Sequence, residues 1–174
     1  MNGWPAARSF QRANMPSKTP PPLFPDFEQL LSSLNAEHAA YLVIGAYAVA
    51  IHAQPRATKD LDILIGSDPA NAAAVWRALA TFGAPLQGIT PADLVAPGSF
   101  FRMGTPPIMI DILSEVPGVT FKEAHSRAVI VTINEETGLH APFIAADDLI
   151  ANKTAAARPQ DLADVAAIRK AREP

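Results

Sequence analysis

Two short apolar runs that carry aspartate at alternating positions constrain this chain most. In Asp60-Leu61-Asp62-Ile63-Leu64-Ile65 the acids stand two residues apart. Successive side chains of a strand point to opposite faces, so Asp60 and Asp62 share one face while Leu61, Ile63 and Ile65 share the other. In Ile108-Met109-Ile110-Asp111-Ile112-Leu113 the same rule puts Met109, Asp111 and Leu113 on one face and the three isoleucines on the other. Such strands need a sheet with one face on a core and acids gathered on the opposite face.

The remaining elements build around these two strands. Asp26 is expected to cap a first helix, with Gln29 three residues on and Phe27, Leu30, Leu31 and Leu34 forming one buried stripe. Tyr41-Leu42-Val43-Ile44 reads as a buried strand ended by Gly45. A helix then runs from Ala46 to about His52, where Gln54-Pro55 stops it. Asp68 and Pro69 open another helix that ends near Phe82. Residues 83–107 are rich in Gly and Pro and predict a loop-bearing segment around Ser99–Arg102. Further strands are expected over Ala128–Ile133 and near His140–Ile144, then helices over Ala146–Ala156 and Pro159–Arg172. Strands interleaved with helices make this an α/β (α+β) chain. A small mixed sheet of four to five strands, flanked by helices, and two C-terminal helices are expected.

With 174 residues, one domain over residues 26–174 suffices to bury a core. Residues 1–25 hold Pro5, Pro16, Pro20, Pro21, Pro22 and Pro25 with little periodicity, and predict a flexible, proline-rich leader. No run of about 18 apolar residues exists, so no membrane span is expected. The region of Trp4, Pro5, Arg8 and Arg12 lacks the hydrophobic stretch of a secretory signal. The absence of cysteine excludes disulfides and thiolate metal sites and fits a cytoplasmic protein. A net charge of −3 does not suggest a general nucleic-acid binder. Arg8, Arg12 and Lys18 concentrate positive charge near the start. Lys153, Arg158, Arg169, Lys170 and Arg172 do so near the end, either as a solvated surface or as a face for a polyanion.

Two carboxylates on one strand face repel each other unless a cation neutralises them or one holds a proton. Oxygen-only ligands suit a hard ion such as Mg²⁺ or Mn²⁺. Asp111, flanked by apolar residues, is the natural third member of the set. Purely structural roles stand beside this reading: Asp60 capping a turn, Asp62 paired with Arg56 or Lys59, and Asp111 paired with an arginine.

The ordered set Ile44-Gly45-Ala46, then Pro55-Arg56-Ala57-Thr58-Lys59-Asp60-Leu61-Asp62-Ile63, resembles the signature of the DNA polymerase β-type nucleotidyltransferase superfamily. Within it the sequence is most similar to the small bacterial branch related to AbiEii-type nucleotidyltransferase toxins. That branch has a Ser or Thr two residues before the first aspartate, where Thr58 stands. It also has a lysine followed by an Arg-x-x-Asp-x-x-Asp helix start, matched by Lys153 and by Arg158, Asp161 and Asp164. The likeness spans residues 38–170. It implies a nucleotidyltransferase fold that moves a nucleoside monophosphate from a triphosphate to a hydroxyl of RNA, tRNA, protein or a small molecule, releasing pyrophosphate. Asp60, Asp62 and Asp111 would hold Mg²⁺ or Mn²⁺, and Gly45, Ala46, Arg56, Thr58 and Lys59 would border the nucleotide. Lys153 would offset the triphosphate, and Asp161 would order the site. Ala46 departs from the pattern, because many active members have Gly or Ser there, and its methyl removes a hydroxyl contact to phosphate.

Other residues have plainer readings as well. Lys153 lies beside Leu149 and Ile150, where a lysine can snorkel. Asp161 and Asp164 fall where the helix dipole favours acids. The histidines at 38, 52, 125 and 140 show no metal spacing, and His52 reads as a helix-terminal residue. No Gly-x-Ser-x-Gly, dinucleotide-binding turn or phosphate loop occurs. Two rival functions remain: an Asp-x-Asp glycosyltransferase, and a non-catalytic nucleotide-binding or toxin–antitoxin-type protein. The oligomeric state is left open.

Overall fold

Apolar stripes and strand alternation bring the chain together around a six-stranded sheet, as seen in a computed structural model that describes residues 22–174. The proline-rich leader lies outside the described residues as far as Pro21. The elements follow in the order α1 (Pro25–Ala36), β1 (Tyr41–Ile44), α2 (Gly45–His52), β2 (Asp60–Ile65), α3 (Pro69–Phe82), β3 (Phe100–Thr105), β4 (Ile108–Leu113), α4 (Phe121–Ser126), β5 (Val129–Asn134), β6 (Leu139–Phe143), α5 (Ala146–Ala156) and α6 (Pro159–Ala171). The protein is α/β, with a mixed sheet flanked by helices and two C-terminal helices.

The sheet runs β3-β4-β2-β1-β6-β5. Its centre is β2, antiparallel to β1 and parallel to β4. β3 returns antiparallel on β4, β6 lies parallel to β1, and β5 closes the far edge antiparallel to β6. The alternation read from the acidic strands holds: Leu61, Ile63 and Ile65 are fully buried, whereas Asp60 and Asp62 are partly exposed. Two groups of helices cover the sheet. α1 packs against α3, while α2 lies on β1 and β2 and also meets α5 and α6. Phe27, Leu30, Leu31 and Leu34 form the buried stripe of α1, and Asp68 caps α3 by accepting the Asn71 N–H at 2.9 Å.

Several expectations need correction. α1 starts two residues early, with Pro25 in its first turn and Phe24 as its cap, so Asp26 is a first-turn acid and not the cap. The sheet has six strands, because the segment expected to be a loop contains β3. Apart from Gly104, its Gly and Pro residues lie on either side of a short hairpin strand that pairs with β4 from Phe100 to Thr105. α4 was also absent from the sequence reading. It is only six residues long, too short for a periodic stripe to show.

Among the described residues no helix is long and apolar enough to cross a membrane.

Candidate functional site

The register of the sheet places the acids side by side. Asp62 pairs across strands with Asp111 in β4, and Asp111 pairs with Arg102 in β3. On the other side Asp62 faces Ile44, the last residue of β1. One row across four strands therefore reads Ile44, Asp62, Asp111, Arg102, with Asp60 two residues before Asp62 on the same face. The three acids named from sequence share one face of two adjoining strands.

The chain turns immediately after Ile44, and Gly45 makes the turn possible. Its φ is +65°, and a Cβ built there would fall 2.0 Å from Asp62 Oδ2 and 2.8 Å from its Cγ. Glycine is thus required twice, by the left-handed backbone and by the approach of the Asp62 carboxylate. Gly45→Ala is expected to cost about 1–2 kcal/mol for the backbone strain and to push the Asp62 carboxylate aside. Urea unfolding of Gly45→Ala with and without Asp62→Ala checks this, because the overlap with the carboxylate, though not the 3.0 Å approach to the Asp62 Cβ, is relieved once Asp62 is truncated. Equal costs in both backgrounds would show that the carboxylate does not hold this position. Ala46, the next residue, is buried in the first turn of α2.

Asp62 carries the electrostatic load. Its carboxyl is pushed up to about 6, first by burial and then by the charges of Asp111 and Asp60; Lys153 and Arg158 oppose the rise. The strand face therefore has more negative charge than its cations offset. The other residues named from sequence have definite places. Thr58 bonds the backbone of Asp60 itself, its hydroxyl donating to the carbonyl at 3.3 Å and accepting the N–H at 3.4 Å. It braces the first acid. Lys59 is exposed at the mouth of β2. Arg56 forks onto Asp164, Nε at 3.1 Å and Nη2 at 3.2 Å. The structural alternative for Asp62, a pair with Arg56 or Lys59, is not what forms.

Behind the acids lies a second charged cluster. Lys153 in α5 is 5% exposed, and its ammonium reaches Asp161 Oδ1 at 2.9 Å and Asp164 Oδ2 at 2.8 Å, both in α6. Arg158 forks onto Asp161 at 2.6 and 3.2 Å, and Gln160 donates to Asp164 at 3.0 Å. Burial raises the Asp161 carboxyl, but the hydrogen bonds and charges of Arg158 and Lys153 outweigh it and hold the group at about 2. Asp164 is lowered in the same way, with burial opposed by Lys153, Arg56 and Gln160. The Lys153 charge, which the resemblance assigns to a triphosphate, has partners within the protein. Two buried carboxylates already meet it, and they lock α5 to α6. Asp161 accepts from both Lys153 and Arg158.

Sequence reasoning missed Arg102 as a site residue. It donates from Nε to Asp111 Oδ1 at 2.8 Å and from Nη2 to Asp111 Oδ2 at 3.1 Å, and Nη2 stands 3.8 Å from Asp60 Oδ2. The arginine partner considered for Asp111 therefore exists. The signal was present in Phe100-Phe101-Arg102-Met103, whose alternation before a Gly-Thr-Pro-Pro turn and a strand predicts a hairpin.

Hard oxygen donors with surplus negative charge suit a divalent cation in chemistry, and the glycine cradle brings one of them close to the start of α2. Among the described residues, no three His, Cys, Asp or Glu side chains converge as a ligand shell. No protein family matches the sequence, and no curated protein matches it.

Proposed function

We propose that this cleft binds a nucleoside triphosphate with Mg²⁺ or Mn²⁺ and transfers its nucleoside monophosphate to a hydroxyl acceptor, in the manner of a polymerase β-type nucleotidyltransferase. One observation carries the reading: Asp60, Asp62 and Asp111 share one face of two adjoining strands, beside a glycine turn that opens a helix. Asp60, Asp62 and Asp111 are the residues that would hold the cation. When bound, it would neutralise phosphate charge and make an acceptor hydroxyl more acidic.

The chain's own groups account for the rest. The acceptor oxygen bonds to the α-phosphorus, the bond from that phosphorus to the β-phosphate oxygen breaks, and pyrophosphate leaves. The hydroxyl proton passes to an ionised carboxylate of the cleft. Arg158, whose side chain is 76% exposed and whose charge is felt at Asp62, can meet a phosphate without leaving the Asp161 pair. Lys153 acts on the cleft from behind, as a fixed positive charge that lowers the Asp62 pKa. The N–H groups at the start of α2 favour an anion near Gly45 and Ala46. Catalysis would come chiefly from positioning and electrostatics. RNA, tRNA or protein hydroxyls are the acceptor classes to test.

A nucleotide panel tests the reading. Thermal unfolding with Mg²⁺ should show stabilisation by nucleoside triphosphates, about 2.7 kcal/mol at a hundredfold excess over Kd, and none in Asp60→Asn or Asp111→Asn. Incubation with α-labelled triphosphates and RNA or protein should move label to the acceptor. Binding without transfer would assign a non-catalytic nucleotide-binding member, and preference for nucleotide sugars would assign a glycosyltransferase. No response to any nucleotide would overturn the site.

A further inference from the structure

Two of the three carboxylates in the cleft, Asp111 and Asp60, share one guanidinium. Arg102 forks onto Asp111 and approaches Asp60, so the side chain that bridges the two acids is itself a cation. The position follows from the sheet: β3 pairs with β4 so that Arg102 lies directly opposite Asp111, and among the described residues β3 is an edge strand. A long side chain on such an edge can leave its partner without disturbing the backbone.

The two charged clusters differ in how firmly they are held. Lys153, Asp161 and Asp164 are 6%, 2% and 3% exposed in their side chains, so separating them would strand charges away from water. The Arg102 side chain is 48% exposed, Asp60 47% and Asp111 15%. Water screens pairs of that kind, and they are weak. The buried cluster is a fixture, and the Arg102 fork is exchangeable.

We propose that Arg102 is the resident cation of the cleft, holding Asp60 and Asp111 in the metal-free protein and turning to the triphosphate when a divalent cation takes its place. This inference rests on the nucleotide-site reading above and names a positioning residue that the reading lacks. A guanidinium suits both states, because its planar fork matches carboxylate and phosphate oxygens alike. Like charge also forces the choice. A divalent cation on Asp60 and Asp111 repels the guanidinium from the same oxygens, and incoming phosphates offer it new ones.

The test uses Mn²⁺ alone, followed calorimetrically and by the spin-resonance signal of the free ion, in the full chain and in Arg102→Gln, Arg102→Ala and Arg102→Lys. Removing the competing charge should tighten Mn²⁺ binding roughly five- to tenfold in the Gln and Ala variants, the scale of a lost exposed ion pair with charged hydrogen bonds. Arg102→Lys, which keeps the charge without the fork, should stay near wild type for Mn²⁺. All three should bind the Mn²⁺-triphosphate less well relative to Mn²⁺ than wild type does. Adding Asp111→Asn to Arg102→Gln should abolish the gain. Melting curves keep the test valid if a variant is weakened, since Mn²⁺ should raise the melting temperature of Arg102→Gln more than that of wild type. If wild type binds Mn²⁺ and the Gln and Ala variants bind it no more tightly, the exchange is wrong while the cleft reading stands. If neither wild type nor variants take up Mn²⁺, the cation reading and the exchange both fail.

Discussion

Lys153→Met is expected to lower folding stability by about 3 kcal/mol at neutral pH, the largest loss among the substitutions considered. The stem is preserved, so little packing is lost. What goes is the ammonium between Asp161 and Asp164, which leaves two buried carboxylates with one arginine each. The surviving partners keep the loss at the low end of the 3–5 kcal/mol typical for breaking a buried pair. Its pH dependence has a definite sign. Both carboxyls are depressed in the native state, so their contribution is present above the ordinary carboxylate range and is lost as pH falls below it, for Asp161 toward about 2. The deficit of Lys153→Met should therefore be full at pH 7 and shrink below pH 4. Lys153→Met with Asp161→Asn and Asp164→Asn should recover much of it, since hydrogen-bonding groups without charge replace the stranded acids. Urea unfolding of the single and triple variants decides the matter. A single variant as stable as wild type would return Lys153 to the snorkelling role that its apolar neighbours suggested.

The contrast between Lys153 and the acidic strands shows what could be read from sequence. Strand alternation is local, so the faces of Asp60, Asp62 and Asp111 and the buried set of Leu61, Ile63 and Ile65 were legible from periodicity alone. Helix punctuation was nearly as clear at Asp68-Pro69 and Pro159, because Pro in a first turn and a carboxylate cap act within one turn. Partners were not legible. Asp164 is met by an arginine 108 residues away, and Lys153 faces acids on the next helix. Only tertiary packing decides which of several nearby charges are joined. β3 was hidden for a different reason. Gly104 in its run and the Gly and Pro residues around it read as a loop and masked the strand signal of Phe100-Phe101-Arg102-Met103, although its pairing places Arg102 in the cleft.

Asp62→Asn should stabilise the metal-free protein at pH 7 and above, by an amount on the order of 2 kcal/mol, and the gain should fade as pH falls to 4. The reasoning starts from a carboxyl whose ordinary value is 3.8 and which burial, Asp111 and Asp60 raise to about 6. Between these values the native state binds the proton more tightly than the unfolded chain. Stability is thus fully present below about 3.8 and is lost as pH rises through 6, when the native protein must hold an ionised Asp62 among its neighbours. Two pKa units correspond to nearly 3 kcal/mol, and partial exposure of Asp62 to water reduces the figure. Asparagine cannot ionise, so the variant lacks this loss. Asp161 works in the opposite direction but near pH 2, outside the window. Denaturant unfolding of wild type and Asp62→Asn from pH 4 to pH 8, in chelator, should give curves that converge at the acid end and separate above pH 6. A cation-binding cleft adds a second expectation: millimolar Mg²⁺ with a nucleoside triphosphate should reverse the order of stability at pH 8, because the ionised carboxylate then has a partner that asparagine cannot replace. Parallel pH profiles would mean that Asp62 is not under charge stress. Converging profiles with no reversal would mean that the stress is real but that the cleft is not a nucleotide site.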